Sequence, residues 1–231
     1  MIKKIVISIA FSLLFVSGLS AAQGIKLDTQ SDYNISVVPP KMSVAKKKQR
    51  FYNLVVLAIE KVYDDLDAEY RVIKKVVDAG KIDAKTKRYM QSYSAKNPQD
   101  LLMRMKPHAK SVAIAQAAME SAWATSRFTR IAKNLFGVWS LRKDEPRVAA
   151  GVKRGKKTIY VRKYSSVEAS IRDYYRVLAI NKVFEKFRVE KMRSNDPYKL
   201  VKKLDKYSEK GAAYGEELAS MIKYNRFYEY D

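Results

Sequence analysis

One carboxylate stands inside a run of small and apolar residues. Glu120 lies in the stretch AIAQAAMESAW, residues 113–123, in which it is the only charged side chain. A helix that is apolar nearly all round is buried, and an acid that is buried without a partner is costly. Glu120 is therefore expected to have either a structural partner or a chemical role.

The spacing around Glu120 predicts a polar stripe on one helix. Pro107 fits the first turn of this helix, which is expected to run to about Arg127. Spacings of four, three and four residues place these side chains on one face: Gln116, Glu120, Trp123 and Arg127. A carboxyl that is partly withdrawn from water beside an indole has a raised pKa, as a general acid requires. The alternative is that Glu120 pairs with Arg127 or another arginine and only ties helices together.

Three sequence motifs carry a family resemblance. Residues 115–126 read AQAAMESAWATS, residues 134–139 read NLFGVW, and residues 206–222 read KYSEKGAAYGEELASMI. The first two motifs, in this order, resemble the glucosaminidase domain of glycoside hydrolase family 73. The tryptophan after NLFG and the last motif are similar to the Bax-like branch of that family. The resemblance extends from about Ser111 to Ile222.

The resemblance implies a mainly α, lysozyme-like domain with a small β-hairpin lobe. It also implies an endo-β-N-acetylglucosaminidase that cleaves peptidoglycan glycan strands. By motif position Glu120 matches the family's acid, and Tyr207 matches a tyrosine of its cleft. Six residues are candidates for substrate binding: Gln116, Trp123, Asn134, Phe136, Trp139 and Tyr214. For Phe136 and Tyr214 the alternative is ordinary packing.

Tyr207 is expected to act through its hydroxyl group. It precedes the sequence SEKG, where a helical pattern stops, and side chains at helix ends face clefts more freely than buried ones do. If the resemblance holds, the phenol lies near Glu120 and orients substrate or stabilises charge on the sugar. Otherwise Tyr207 packs the last two helices together.

The second carboxylate departs from the family pattern. Many members place a second glutamate on the hairpin, and here the nearest one is Glu145, which precedes Pro146. Glu145 is either this catalytic group or a solvated loop residue. A retaining mechanism needs two carboxyls roughly 5–5.5 Å apart, an inverting one needs roughly 6.5–9.5 Å, and a third route uses the acetamido group of the substrate. The sequence leaves all three routes open.

The chain organisation predicts an exported protein. Residues 1–22 have Lys3 and Lys4, an apolar run and small residues at the end, the layout of a cleaved signal peptide. Residues 23–43 are expected to be a linker and residues 44–106 an amino-terminal helical segment that packs on the catalytic domain, residues 107–231. Without cysteine the chain has neither disulfides nor a lipid-anchoring cysteine. A periplasmic or secreted monomer without a membrane span after signal removal is predicted.

Charge indicates the sign of the partner. The formal net charge is +22, and because the signal segment holds two lysines and no acid, the mature chain keeps +20. Such a charge attracts polyanions. Export excludes nucleic acid as the partner and favours anionic cell-wall polymer, which a basic hairpin between Arg147 and Lys163 would hold. His108, the only histidine, has no ligand partners at metal-site spacing, so neither metal nor cofactor is expected.

Two other functions fit the same features. A lytic transglycosylase or muramidase also uses a lone helical glutamate. A weakly catalytic wall-binding or assembly protein would use the basic surface and would not need a hairpin glutamate. The chemical identity of the new reducing end separates these possibilities.

Overall fold

The protein is a bundle of helices with one small β-hairpin. The structure, a computed structural model, describes residues 33–154 and 157–231. The side chains of residues 152–157 lie outside the described part. The helices are α1 (Val44–Phe51), α2 (Leu57–Asp78), α3 (Ala84–Ser92), α4 (Pro98–Met105), α5 (Lys110–Glu120), α6 (Arg127–Ala132), α7 (Val167–Ile180), α8 (Glu185–Arg193), α9 (Pro197–Val201) and α10 (Ala212–Tyr224). The strands are β1 (Arg147–Arg154) and β2 (Lys157–Arg162). The predicted mainly α fold with a small hairpin is confirmed.

Helices α1 and α2 form one path through a π-helical turn. The turn spans Tyr52–Val56, and the helix that follows it continues to Asp78. Buried side chains recur along one face of this helix, as in an amphipathic helix that packs on a core. Phe51 before the π turn and Ile59 after it belong to the same core.

Four helices begin with a side-chain cap. The side chains of Asp83, Asn97 and Asp196 accept backbone N–H bonds at the starts of α3, α4 and α9. At the start of α7, the side chain of Ser166 accepts the bond from the Ala169 N–H.

A single main core lies around α5. Fully buried residues of α5 pack with those of α1, α2, α7 and α10, among them Phe51, Ile59, Val112, Tyr174 and Leu218. A smaller core joins the end of α2 to α4 through Ile73, Val77 and Leu101. The amino-terminal helices and the motif helix therefore share one apolar interior.

The segment before α1 is attached to the same core. Residues 23–32 of the predicted linker, like the predicted signal peptide, lie outside the described residues. Beyond them, the guanidinium of buried Arg50 donates hydrogen bonds to the carbonyl oxygens of Asn34, Ile35 and Val37. A further bond from Arg50 reaches the Ala124 carbonyl oxygen at 2.9 Å. Arg50 thus connects residues 34–37 to the chain just after the motif helix.

The hairpin is antiparallel and has an irregularity. Arg147 pairs with Arg162, Val148 with Val161 and Ala149 with Tyr160, and the register shifts between Ala149 and Lys153. Gly151, with a φ of 77°, lies in this shifted stretch. Among the described residues no helix is long and apolar enough to cross a membrane.

The motif helix ends earlier than the sequence predicts. Helix α5 stops at Glu120, and Ala122, Trp123 and Ala124 follow with φ values of 51°, 63° and 59°. The Trp123 N–H bonds to the Ala118 carbonyl oxygen at 2.8 Å, which closes the helix end in a Schellman arrangement. The expected continuation to Arg127 is therefore wrong. Trp123 and Arg127 do not lie on one helical face with Glu120.

The left-handed turn carries backbone strain. A non-glycine residue in this conformation costs roughly 1–2 kcal/mol. Local hydrogen bonds hold the turn: the Ser121 hydroxyl donates to the Ala117 carbonyl oxygen at 2.5 Å and accepts from the Ala124 N–H at 2.7 Å. Together with the bond from Arg50, they fix the backbone directly after Glu120.

We expect Ala122→Gly to stabilise the protein by about 1 kcal/mol, because glycine adopts a positive φ without a Cβ clash. Ala68→Gly is the matched control, since Ala68 is exposed in the middle of α2. There the same change should cost about 1 kcal/mol. Urea unfolding midpoints of both variants check the expectation, and equal destabilisation by both would show that the turn is unstrained.

Candidate active site

Glu120 is the last residue of α5 and is half-buried. The Tyr214 hydroxyl donates a hydrogen bond to its Oε1 atom at 2.8 Å. Burial raises the pKa of the Glu120 carboxyl to about 7, against the opposing effects of this hydrogen bond and of Lys210. A substantial fraction of Glu120 is therefore protonated near neutral pH, as a general acid requires.

Tyr214 and Tyr207 form a stacked pair beside the carboxyl. Their ring centroids are 5.4 Å apart and their planes differ by 8°. The Tyr207 hydroxyl donates to the Phe136 carbonyl oxygen at 3.2 Å, whereas the Tyr214 hydroxyl bonds to Glu120. The sequence predicts that the Tyr207 hydroxyl lies beside Glu120. In the structure, the hydrogen bond to Glu120 comes from Tyr214. The charge of Glu120 also raises the pKa of both phenols, after burial.

Gln116 lies one helical turn before Glu120 and is fully buried. Its Nε2 donates to the Tyr214 hydroxyl at 2.9 Å, and its Oε1 accepts from the Tyr174 hydroxyl at 2.6 Å. The amide therefore lies on the core side of the Glu120 carboxyl, with both of its polar atoms bonded to tyrosine hydroxyls. It supports Tyr214 from the core side.

The NLFGVW loop is held from within. Asn134 is buried, and its amide donates to the carbonyl oxygens of Val138 and Arg162 and accepts the Val138 N–H. Gly137, with a φ of 64°, provides the turn between them. Asn134, predicted to bind substrate, therefore fixes the loop backbone.

The aromatic residues of this loop face different ways. Phe136 is fully buried and stacks on Tyr174, with ring centroids 4.0 Å apart. In the structure it therefore packs in the core, which was the alternative to substrate binding. Trp139 is half-buried, and its backbone forms a bridge to Val161 of β2. Of the two, Trp139 is the one with surface left for a ligand.

Trp123 packs against the amino-terminal helices. Its indole lies 5.2 Å from the Phe51 ring and 6.1 Å from the Phe227 ring, and the Lys48 ammonium lies over it at 5.1 Å. Arg127 is exposed and donates to the Ala149 carbonyl oxygen. The proposed pairing of Glu120 with Arg127 is thus replaced by the bond from Tyr214.

Both carboxyl oxygens of Glu145 have partners in the protein. Its Oε1 accepts from the Ser140 hydroxyl at 2.7 Å, and its Oε2 lies 3.5 Å from the Arg162 guanidinium. Although burial alone would raise the pKa of Glu145, these partners hold it below its usual value. Glu145 is therefore an ion-paired loop residue rather than a freely solvated one, and its catalytic role stays a prediction.

A second charged pair lies on the Tyr214 side of the site. Lys210 bonds both carboxyl oxygens of Glu217 at 2.7 Å. Lys210 lowers and Glu217 raises the pKa of Glu120, which places both charges within electrostatic reach of the acid. Glu217 lies one turn after Tyr214 on α10. No feature of the sequence separated this pair from other surface charges.

The basic hairpin is described only in part. Arg147 stacks over the Tyr160 ring at 4.1 Å, and Arg162 is paired with Asp173 at 2.7 Å. These two cations thus have protein partners. The side chains of Lys153, Arg154, Lys156 and Lys157 lie outside the described residues, so the predicted polymer-holding surface stays a prediction.

Cavity volume alone does not point to Glu120. A crevice of about 420 Å³ lies between α3, α4 and α7, lined by residues such as Tyr89, Arg176 and Lys191. Another of about 640 Å³ lies between residues 33–35, the π-helical turn and the starts of α2 and α7. Neither is lined by Glu120. In the described part of the chain, no group of three or more histidine, cysteine, aspartate or glutamate residues is placed to hold a metal ion.

A carboxyl whose pKa is raised towards neutral pH is a feature of the general acids of glycoside hydrolases. The chain matches the glucosaminidase family model, described as mannosyl-glycoprotein endo-β-N-acetylglucosaminidase, over residues 95–227. It belongs to the glucosaminidase family and is a glycoside hydrolase.

Comparison with solved structures gives weaker similarities. The catalytic domain of the autolysin Auto from Listeria monocytogenes matches with a TM-score of 0.45 and 20% identity, over 68% of this chain and 96% of that one. An N-acetylmuramoyl-L-alanine amidase from Staphylococcus aureus matches with a TM-score of 0.42 and 21% identity, over 65% and 44%. No curated protein sequence matches.

The raised pKa of Glu120 predicts a pH-dependent loss of stability. A glutamate that titrates near 4.5 when unfolded and at about 7 when folded holds its proton more tightly in the folded state. Stability therefore falls as pH rises between these values and levels off above them. Glu120→Gln should abolish this fall and be more stable than wild type at pH 8, by no more than about 3 kcal/mol, with no difference below pH 4.

Urea unfolding at pH values from 4 to 8 measures this difference. Glu216→Gln is the control, because Glu216 is an exposed glutamate on the helix that carries Tyr214. It should follow the wild-type curve. A Glu120→Gln curve parallel to wild type would contradict the raised pKa.

Proposed function

We propose that the protein is an exported peptidoglycan hydrolase that cleaves glycan strands after N-acetylglucosamine, with Glu120 as its general acid. The observation that carries the proposal is the half-buried Glu120 carboxyl, whose pKa is raised to about 7, at the end of an apolar helix. The family activity, endo-β-N-acetylglucosaminidase, supplies the bond to be cleaved. Peptidoglycan contains this bond in every repeat.

Tyr214 has a defined part in the proposed step. Protonated Glu120 donates its proton to the glycosidic oxygen as the bond breaks, and a carboxylate remains. The Tyr214 hydroxyl, 2.8 Å from Oε1, then forms a charge-assisted hydrogen bond. Because this bond is stronger to the carboxylate than to the acid, it favours proton transfer.

We propose that the acetamido group of the substrate takes the place of a second catalytic carboxylate. Glu145 is held by Ser140 and Arg162, and Glu217 is held by Lys210, so both carboxylates already have partners. The acetamido oxygen would stabilise the oxocarbenium-like centre from the opposite face. This route passes through a cyclic intermediate and retains the anomeric configuration, whereas a route with a water nucleophile inverts it.

The substrate class is supported by charge and by motif. The net charge of +22 favours an anionic polymer, and the apolar amino-terminal run supports export to the periplasm or medium. The tryptophan after NLFG and the segment KYSEKGAAYGEELASMI support placement in the Bax-like branch. We propose that the mature protein acts as a monomer.

Glu120→Gln should lower the digestion of purified peptidoglycan sacculi by about 10²- to 10⁴-fold while the protein stays folded, since the amide cannot donate a transferable proton. Turbidity loss measures the rate. Mass spectrometry of the fragments should show reducing N-acetylglucosamine ends, and early NMR spectra should show a retained anomer.

Several outcomes would contradict the proposal. Near wild-type turnover by Glu120→Gln would remove the acid assignment. New muramic acid ends would indicate a muramidase, and anhydro ends would indicate a lytic transglycosylase. Sacculus binding without cleavage would indicate a wall-binding protein.

Tyr214→Phe should lower the rate by about 10- to 100-fold, because a hydrogen bond to a charged group is lost. Tyr207→Phe should have a smaller effect, since its hydroxyl bonds to the Phe136 carbonyl oxygen. The two changes are matched, because both rings are buried and remain stacked. A greater loss for Tyr207→Phe would show that substrate binding rearranges the pair.

A further inference from the structure

A continuous chain of hydrogen bonds leads from the core to Glu120. His108 Nε2 lies 2.9 Å from the Tyr174 hydroxyl, which donates to Gln116 Oε1 at 2.6 Å. Gln116 Nε2 donates to the Tyr214 hydroxyl at 2.9 Å, which donates to Glu120 Oε1 at 2.8 Å. All members except Glu120 are buried. Helices α5, α7 and α10 each contribute to the chain.

The hydrogen bonds in this series are all donated in one direction, from His108 towards Glu120. The Tyr214 oxygen receives a hydrogen from the Gln116 amide, so its own proton is directed to Glu120. The Tyr174 proton is directed to Gln116, so the Tyr174 oxygen receives a hydrogen from His108 Nε2. Burial and nearby Lys191 hold the pKa of His108 well below its usual value. His108 is therefore the neutral tautomer with hydrogen on Nε2.

This direction determines which oxygen of Glu120 can carry a proton. Oε1 is already an acceptor of the Tyr214 proton, so an acidic proton resides on Oε2. The same chain direction suits both the acid and the carboxylate. Proton donation by Oε2 therefore requires no rearrangement of the groups behind it, which is the condition for a preorganised site.

We propose that His108 and Tyr174 are positioning residues which, through Gln116, fix the direction of the Tyr214 proton and keep the transferable proton of Glu120 on Oε2. The proposal rests on the assignment of Glu120 as general acid. It extends the functional site to side chains that no substrate touches.

The direction of the hydrogen bonds depends on the orientation of the Gln116 amide. An amide has nearly the same shape when its oxygen and nitrogen exchange places. Without the Tyr174 hydroxyl, either orientation of the amide leaves one of its polar atoms buried without a partner, Oε1 as it stands or Nε2 after the exchange, so Nε2 is no longer held towards Tyr214. Turning the amide lets Oε1 accept the Tyr214 proton, and Glu120 then loses its hydrogen bond. A change at Tyr174 thus reaches Glu120 without contact.

Tyr174→Phe and Tyr175→Phe form a matched pair of variants. The two tyrosines are neighbours on α7, both are buried, and the Tyr175 hydroxyl has no hydrogen-bond partner in the described structure. Each change removes one buried hydroxyl and keeps the ring. A merely structural role for the chain would change stability in Tyr174→Phe without changing the titration of Glu120.

We expect Tyr174→Phe to lower kcat on sacculi by about 10-fold or more, with KM little changed. The alkaline limb of the kcat profile should also move to higher pH, because the Glu120 carboxylate has lost a donor and its pKa rises further. Tyr175→Phe should keep the wild-type rate and limb.

Other charges could affect this pH profile, and the paired variants keep all of them. Tyr207, Lys210 and Glu217 face Glu120 together with Tyr214. Lys191, whose pKa burial lowers to about 7, faces His108 from α8. Because both variants retain these groups, a difference between their pH profiles is due to the loss of the Tyr174 hydroxyl from the hydrogen-bond chain.

His108 provides a rescue test. His108→Gln retains an N–H donor for the Tyr174 hydroxyl and should keep most of the wild-type rate and pH limb. His108→Leu removes the donor and should behave like Tyr174→Phe. Equal behaviour of the two His108 variants would overturn the role of this residue.

A readout that is independent of activity separates the two proposals. The fall in stability with pH reports the Glu120 titration, and in Tyr174→Phe it should extend to higher pH than in Tyr175→Phe. Equal kcat limbs and equal stability profiles, with Glu120→Gln inactive, would overturn the positioning chain alone. If Glu120→Gln stays active, the proposed function fails, and the stability profiles still decide whether the chain sets the Glu120 titration.

Discussion

The candidate site depends on the Glu120 carboxyl, which is kept partly out of water and receives a hydrogen bond from a phenol. Burial disfavours the charged form of Glu120, and the hydroxyl of Tyr214 offsets only part of this effect. An arginine in the same place would lower the pKa and leave a carboxylate unable to donate a proton. A phenol provides enough stabilisation to hold the carboxyl in position while its pKa stays high.

The end of α5 contributes to the same condition. Glu120 is the last helical residue, where the helix dipole places partial negative charge and disfavours a carboxylate, in the same direction as burial. A longer helix would remove this effect. The strained turn at Ala122–Ala124, held by Ser121 and Arg50, ends the helix at this point. Strain beside the acid is offset by packing elsewhere in the fold.

The partial burial of Glu120 could be predicted from the sequence, but its surroundings could not. A lone glutamate in an apolar helix is visible as a local pattern, as are the caps at Asp83 and Asn97. The left-handed turn was missed because Ala122 and Ala124 are good helix formers and carry no glycine signal. The choice between Tyr207 and Tyr214 depends on which hydroxyl meets Oε1, and this is set by the packing of α10 on α5 rather than by the spacing of the two tyrosines.

The alanine-rich composition of α5 follows from the same geometry. A phenol oxygen on α7 and another on α10 must both reach one amide on α5, so the three helices must lie close together. Ala113, Ala117 and Ala118 are fully buried and leave room for this approach. On α10, a Cβ at Gly215 would lie 2.7 Å from the Val201 carbonyl oxygen, so glycine permits close packing beside Tyr214. These small residues determine the distances over which the buried polar groups can bond.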